Sequence, residues 1–109
     1  MSVELSVVVP VFNEESIIPE LYRRLKESVC KVTEDFELIF VNDGSKDFTL
    51  EKLLELSKID TRVKFINFSR NFGHQLAVAA GLDHCQGQAI VIIDGDLQDP
   101  PELIPELYD

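Results

Sequence analysis

A chain of 109 residues that is 45% apolar and 28% charged, with five Gly and five Pro, has the make-up of one folded domain. That composition excludes disordered and low-complexity readings. Twenty acids against ten bases leave a formal charge of −10, so a nucleic-acid backbone is not an expected partner.

The opening MSVELSVVVPVF lacks a basic n-region and a cleavage site, so no signal peptide is expected. No apolar run reaches the roughly 18 residues of a membrane helix, and a soluble or peripheral chain is the expectation. Residues 5–11 (LSVVVPV) form a short β-branched run, apolar on both faces, which suits a buried parallel strand. Ile17, Leu21, Leu25 and Val29 then recur every fourth residue, a helical stripe with Ser16 as its expected cap and Pro19 in its first turn.

Residues 36–41 (FELIFV) read as a second strand, NDGS as a turn, and DFTLEKLLELSKI as a second helix capped by Asp47. Residues 63–68 (VKFINF) read as a third strand. GHQLAVAAGLDHC is a third helix whose small residues allow close approach to a sheet, and QAIVII is a fourth strand. Asp99-Pro100-Pro101 has the form of a cap followed by first-turn proline, opening a fourth helix. Strands alternating with helices predict an α/β domain, a Rossmann-like parallel sheet with helices on both faces, as a single domain over 1–109. The two cysteines, Cys30 and Cys85, match neither a metal-ligand spacing nor a disulfide framework and read as reduced thiols.

In such a sheet, ligands bind beyond the carboxyl ends of the strands. Those ends deliver Asn13, Glu14 and Glu15; Asn42, Asp43 and Ser45; Ser69, Arg70 and Asn71; and Asp94, Asp96 and Gln98. The last group alternates with Gly95 and Leu97, so in an extended segment its three oxygen-bearing side chains share one side. Two carboxylates and an amide oxygen suit a hard divalent cation, Mg²⁺ or Mn²⁺, with positions left for water and phosphate. Asp99 needs no role beyond capping the next helix. An EF-hand does not fit, since its sixth position is Asp99 and its twelfth Pro105.

Asp43-Gly44-Ser45 is a good turn in its own right, and Asp43 can also accept a hydrogen bond from a base N–H. Arg70, a lone positive charge on an acidic rim, suits either a diphosphate or a neighbouring carboxylate. His74 and His84 fall at the two ends of the third helix without metal-ligand spacing. Neither GxGxxG nor GxxxxGK[ST] is present, so bound phosphates would be held chiefly through the metal. A signalling receiver domain would need an acid at the end of strand three, where this chain has FSRN.

VVVPVFNEE, VNDGSKD, SRNFGHQLAVAAG and IDGDLQDPPE, in that order, resemble the start of family 2 (GT-A) inverting glycosyltransferases. They are most similar to the polyisoprenyl-phosphate group, the bactoprenol glucosyltransferases and dolichol-phosphate mannosyltransferases. The resemblance implies that Pro10, Phe12, Asn13 and Glu14 meet base and ribose, and that Asp43 meets the base. It also implies that Asp94, Asp96 and Gln98 hold the metal on the donor's diphosphate, with Asp94 touching the nucleotide as well.

By the same resemblance Asp94 and Asp96 are the catalytic pair, UDP-glucose is the first-choice donor and GDP-mannose the second. A polyprenyl phosphate is the implied acceptor, at the cytoplasmic face of a membrane. Members of this group run well past residue 109, so the chain is expected to be the donor-binding half, inactive in transfer by itself. A non-catalytic nucleotide- or metal-binding domain is the alternative. Apolar faces left uncovered at that length make self-association an expectation.

Overall fold

The computed structural model describes residues 3–93 and 101–104; Asp94, Asp96, Gln98 and Asp99 therefore lie outside the described residues. The elements run β1 (Val3–Val11), α1 (Ile18–Cys30), β2 (Phe36–Asn42), α2 (Thr49–Ile59), β3 (Val63–Asn67), α3 (His74–Asp83) and β4 (Gly87–Ile92). A 3₁₀ turn follows at Pro101–Leu103. All strand pairs are parallel, in the order β3-β2-β1-β4.

That order explains how the helices divide between the faces. The chain steps outward from β1 to β2 to β3, then returns across β1 to place β4 on its other side. Parallel crossovers are right-handed, so reversing the direction of travel moves the connecting helix to the opposite face. One core accordingly joins Leu5, Val7 and Val9 of β1 to Leu21, Leu25 and Val29 of α1 and Leu53 of α2. The other joins Val8, Ile39 and Val41 to Ala77 of α3. The sheet's order switches between β1 and β4, which is where a crevice opens in folds of this kind.

The small residues of α3 do what their size allows. A Cβ on Gly81 would stand 2.4 Å from Cγ1 of Val8 and 3.3 Å from Cγ2 of Val41. Only a bare Cα lets the helix lie this close to β1 and β2. Gly81→Val is therefore expected to destabilise the chain by about 1–3 kcal/mol through overpacking, read as a lower urea midpoint.

Two expected caps behave differently. Ser16 makes no capping bond; α1 begins after Ile17, and its buried stripe starts at Ile18. Pro19 lies in its first turn and removes a donor that would otherwise lack a partner. Asp47, just ahead of α2, does act on that helix: its Oδ1 accepts from the backbone N–H of Thr49 at 3.0 Å.

Among the described strand residues Glu37 is the fully buried carboxylate, 1% exposed. It accepts from Ser6 Oγ at 2.6 Å, Lys64 Nζ at 2.7 Å and the Gln86 N–H at 2.7 Å. Ser6 Oγ in turn accepts from the Gly87 N–H at 2.8 Å. The amino-terminal ends of all four strands are thus tied through one acid. Burial alone would push its carboxyl up, but Lys64, Ser6 and the Gln86 amide together hold it below its ordinary value.

Among the described residues β4 pairs only with β1, and its Ile90 and Ile92 are 45% and 42% exposed. The strand GQAIVI has neither the charge nor the proline that commonly blocks an open edge. Self-association, if it uses this edge, should strengthen with salt, because the charge of −10 keeps copies apart until it is screened. A monomer on a sizing column at high salt and high protein concentration would count against it.

Candidate functional site

The carboxyl ends of β1, β2 and β3 bring their polar loops together as one hydrogen-bonded rim. Pro10 is buried in β1, paired in register with Val41. Even-numbered residues of β1 direct their backbone groups toward β4, since the Ile93 N–H donates to the Val8 carbonyl. The donor that proline lacks would have pointed that way at residue 10; among the described residues the β1–β4 pairs run as far as Val8 with Ile92.

Phe12, next along, is exposed. Asn13 has φ of 52°, a left-handed conformation that asparagine tolerates better than most residues. This turn directs its own backbone into the second loop. The Asn13 N–H donates to Ser45 Oγ at 2.9 Å, the Glu14 N–H to Thr49 Oγ1 at 2.9 Å, and the Glu15 N–H to Asp47 Oδ2 at 3.3 Å. In return Asn13 Oδ1 accepts from the Lys46 N–H at 2.8 Å.

The second loop grips the third in the same way. Asn42 Nδ2 donates to Asn67 Oδ1 at 2.9 Å. Asp43 is 5% exposed, and its two oxygens accept from the Phe72 N–H at 2.7 Å and the Gly73 N–H at 3.1 Å. Gly73 immediately precedes α3 and carries no side chain to cap it, so Asp43 caps that helix from thirty residues away. Gly44 has φ of 72°, and a Cβ there would fall 2.2 Å from the Arg70 carbonyl carbon and 2.3 Å from the Asn71 nitrogen. Arg70 is exposed, with its guanidinium 4.7 Å from the centre of the Phe72 ring. No ion pair joins Arg70 to a described residue.

Sequence reasoning named Asn13, Glu14 and Asp43 but missed Thr49, Phe72 and Gly73, whose part is to hold the loops to one another. Only the Asp47-x-Thr49 spacing carried a local signal of this, as a side chain turning onto the backbone two residues on.

The fourth cluster falls outside the described residues, but both of its flanks are fixed. Ile93 is buried and bonded to β1. On the other side Pro101 and Ile104 are buried, and Arg24 of α1 makes a two-pronged ion pair with Glu102 at 2.5–2.9 Å. Ile93 thus lies beside β1, and residues 101–104 lie against α1. Among the described residues there is no group of three metal-ligating side chains. No described helix is long and apolar enough to cross a membrane.

An open parallel sheet with the polar loops of β1, β2 and β3 tied into one rim, and a switch in strand order beside β1, defines an α/β domain of the nucleotide-binding type. The chain belongs to glycosyl transferase family 2, whose family model matches residues 6–109. It is 61% identical over 107 residues to the uncharacterized glycosyltransferase YkcC of Bacillus subtilis, covering 98% of this chain and 33% of the relative. It is 47% identical over 106 residues to a prophage bactoprenol glucosyl transferase homolog of Escherichia coli, covering 97% and 35%. The chain thus spans about a third of the length of these relatives. Among solved structures, Staphylococcus aureus TarS 1-349 in complex with UDP superposes with a TM-score of 0.73 at 30% identity, covering 85% of this chain and 27% of that 1-349 chain.

Proposed function

We propose that this chain binds the nucleotide-sugar donor of a glycosyltransferase that moves a hexose, glucose first, onto a polyprenyl phosphate. The observation that carries the reading is the tied rim of the β1, β2 and β3 loops, whose β1 end borders the switch point; in the sequence Asp94, Asp96 and Gln98 come just after β4 (Gly87–Ile92). UDP-glucose as donor and a polyprenyl phosphate as acceptor are supported by the likeness to a bactoprenol glucosyl transferase homolog. A uridine nucleotide is supported further by the likeness to a structure holding UDP. GDP-mannose is the second choice. An acceptor of this kind places the reaction at a membrane surface, its cytoplasmic face.

Pro10, Phe12, Asn13 and Glu14 form the base and ribose side of the site, and Asp43 meets the base. Two carboxylates and an amide oxygen are a donor set for a hard cation, so Asp94, Asp96 and Gln98 would hold Mg²⁺ or Mn²⁺. A divalent ion there would neutralise charge developing on the departing diphosphate. The acceptor phosphate is already an anion and attacks the anomeric carbon directly. The bond to the nucleoside diphosphate breaks as the new bond forms, and the anomeric centre inverts. Within a protein of the relatives' length these residues are the donor-binding part, and the acceptor site belongs to the remainder.

Calorimetric titration of UDP and of GDP into the chain, with Mn²⁺ and with EDTA, tests the reading. Metal-dependent binding of one nucleotide supports it and identifies the base. Binding of neither to folded protein refutes it for this chain. Transfer of glucose to polyprenyl phosphate by a protein of the relatives' length, lost on Asp94→Ala, tests the catalytic half.

A further inference from the structure

We propose that Thr49, backed by Asp47, is a positioning residue for the nucleotide: its hydroxyl holds the first loop, residues 12–15, in the conformation that meets base and ribose. The inference rests on the nucleotide-binding reading above and adds to it a residue too deeply buried to touch the ligand. Thr49 opens α2 and is fully buried. Its Oγ1 accepts the Glu14 N–H at 2.9 Å and donates to Asp47 Oδ1 at 2.5 Å, while Asp47 Oδ2 accepts the Glu15 N–H at 3.3 Å.

Capping α2 would require less. One bond, from the Thr49 N–H to Asp47 Oδ1 at 3.0 Å, serves the helix. The other two cross 35 and 32 residues of chain to reach the loop after β1. Against the push of its own burial, bonds from Thr49 and Glu15 hold the Asp47 carboxyl below its ordinary value. It therefore stands as an anion behind the Thr49 hydroxyl and strengthens that oxygen as an acceptor.

The loop so held would not keep its shape alone. Asn13 has φ of 52°, and a left-handed residue other than glycine persists where its surroundings over-determine it. Here the N–H groups of three consecutive residues, 13, 14 and 15, all donate to side chains of the segment 45–49. Each has one hydrogen to give, so the turn is committed to that segment rather than to phosphates, and its share of the ligand is the base and ribose. Phe12, 42% exposed, stands directly before the turn, and the place of its ring follows from where the turn is held.

The test compares Thr49→Val and Thr49→Ser in the 109-residue chain, with UDP and GDP as probes in Mn²⁺ and amide hydrogen exchange of the ligand-free protein. Thr49→Val keeps the shape and removes the hydroxyl, which leaves the Glu14 N–H without its acceptor. Exchange at Glu14 and Glu15 should quicken about tenfold or more while the amides of Val9 and Ile39 stay protected, a pattern that general loss of stability would not give. The preferred nucleotide should bind about tenfold more weakly and the other less so, narrowing the discrimination between bases, because the two probes share their diphosphate and metal. Thr49→Ser, which keeps the hydroxyl, should restore slow exchange, affinity and discrimination together. Unchanged exchange in Thr49→Val would overturn the proposal, as would quickened exchange with affinity intact. Equal losses for both nucleotides would overturn it too, since they would place the effect on the diphosphate side. Should the parent chain bind neither nucleotide, the nucleotide reading falls and this proposal with it, whereas parent binding that Thr49→Val leaves undiminished removes this proposal alone.

Discussion

Asp96→Ala is expected to lower the affinity of the chain for UDP in the presence of Mn²⁺ by about 100-fold or more. Outer-shell partners of a metal site typically cost 10–100-fold when removed, and a charged ligand costs at least the upper end of that range. The sign depends on the cation. Without one, carboxylates at Asp94 and Asp96 in the proposed site would repel each other and the phosphates, so removing one would relieve repulsion. In EDTA the variant should therefore bind UDP no worse than the parent chain. Asp96→Asn, which keeps an oxygen but no charge, should fall between the two in Mn²⁺. Equal affinity of the parent and Asp96→Ala in Mn²⁺ would remove the metal from the account of this segment.

Glu37→Ala should have the largest effect on stability, about 3 kcal/mol, measured as a fall in the urea midpoint. The change leaves the buried hydroxyl of Ser6 and the Gln86 N–H without their acceptor, and Lys64 without its partner. A loss of this size is a large share of the 5–15 kcal/mol that a typical domain has in total. The pH dependence follows from the direction of its titration. The folded protein holds the Glu37 carboxyl below its ordinary 4.5, so the group contributes stability above that pH and loses it as the pH falls through the lower, folded value. Glu37→Gln should therefore flatten the acid side of the stability profile. Some slope should survive, because Asp60 and Asp47 are also held low, against the push of their own burial. Hydrogen bonds from Arg62 and Tyr22 act on Asp60, and those from Thr49 and Glu15 act on Asp47. An acid limb identical in the parent chain and Glu37→Gln would mean the carboxyl is not held low.

How far the sequence reached can be judged from these same residues. The alternation of strands and helices was legible because each strand is a short apolar run and α1 carries a regular stripe. Strand order was not, since β4 joining β1 rather than β3 is decided by the handedness of crossovers and by which faces pack. Glu37 stood in FELIFV as an ordinary strand residue; nothing near it in the chain announces Ser6, Lys64 and Gln86, which come from three other segments. Ser16 was the local choice of cap for α1, yet the helix begins at Ile18, with Pro19 in its first turn, and makes no use of the serine. Asp43 was legible as a turn acid on a rim. Its office as the cap of α3 was not, because its partners lie 29 and 30 residues away.

The mutual grip of the first three loops bears on how such a site can change. Asn13 holds and is held by residues 45 and 46, and Asp43 and Gly44 hold residues 70–73. None of the three is a separable module. Transplanting one loop from a relative with another donor preference would bring in side chains cut for neighbours that stayed behind. A change of donor in this framework has to travel through all three loops together, and single-loop exchange is a poor route to it.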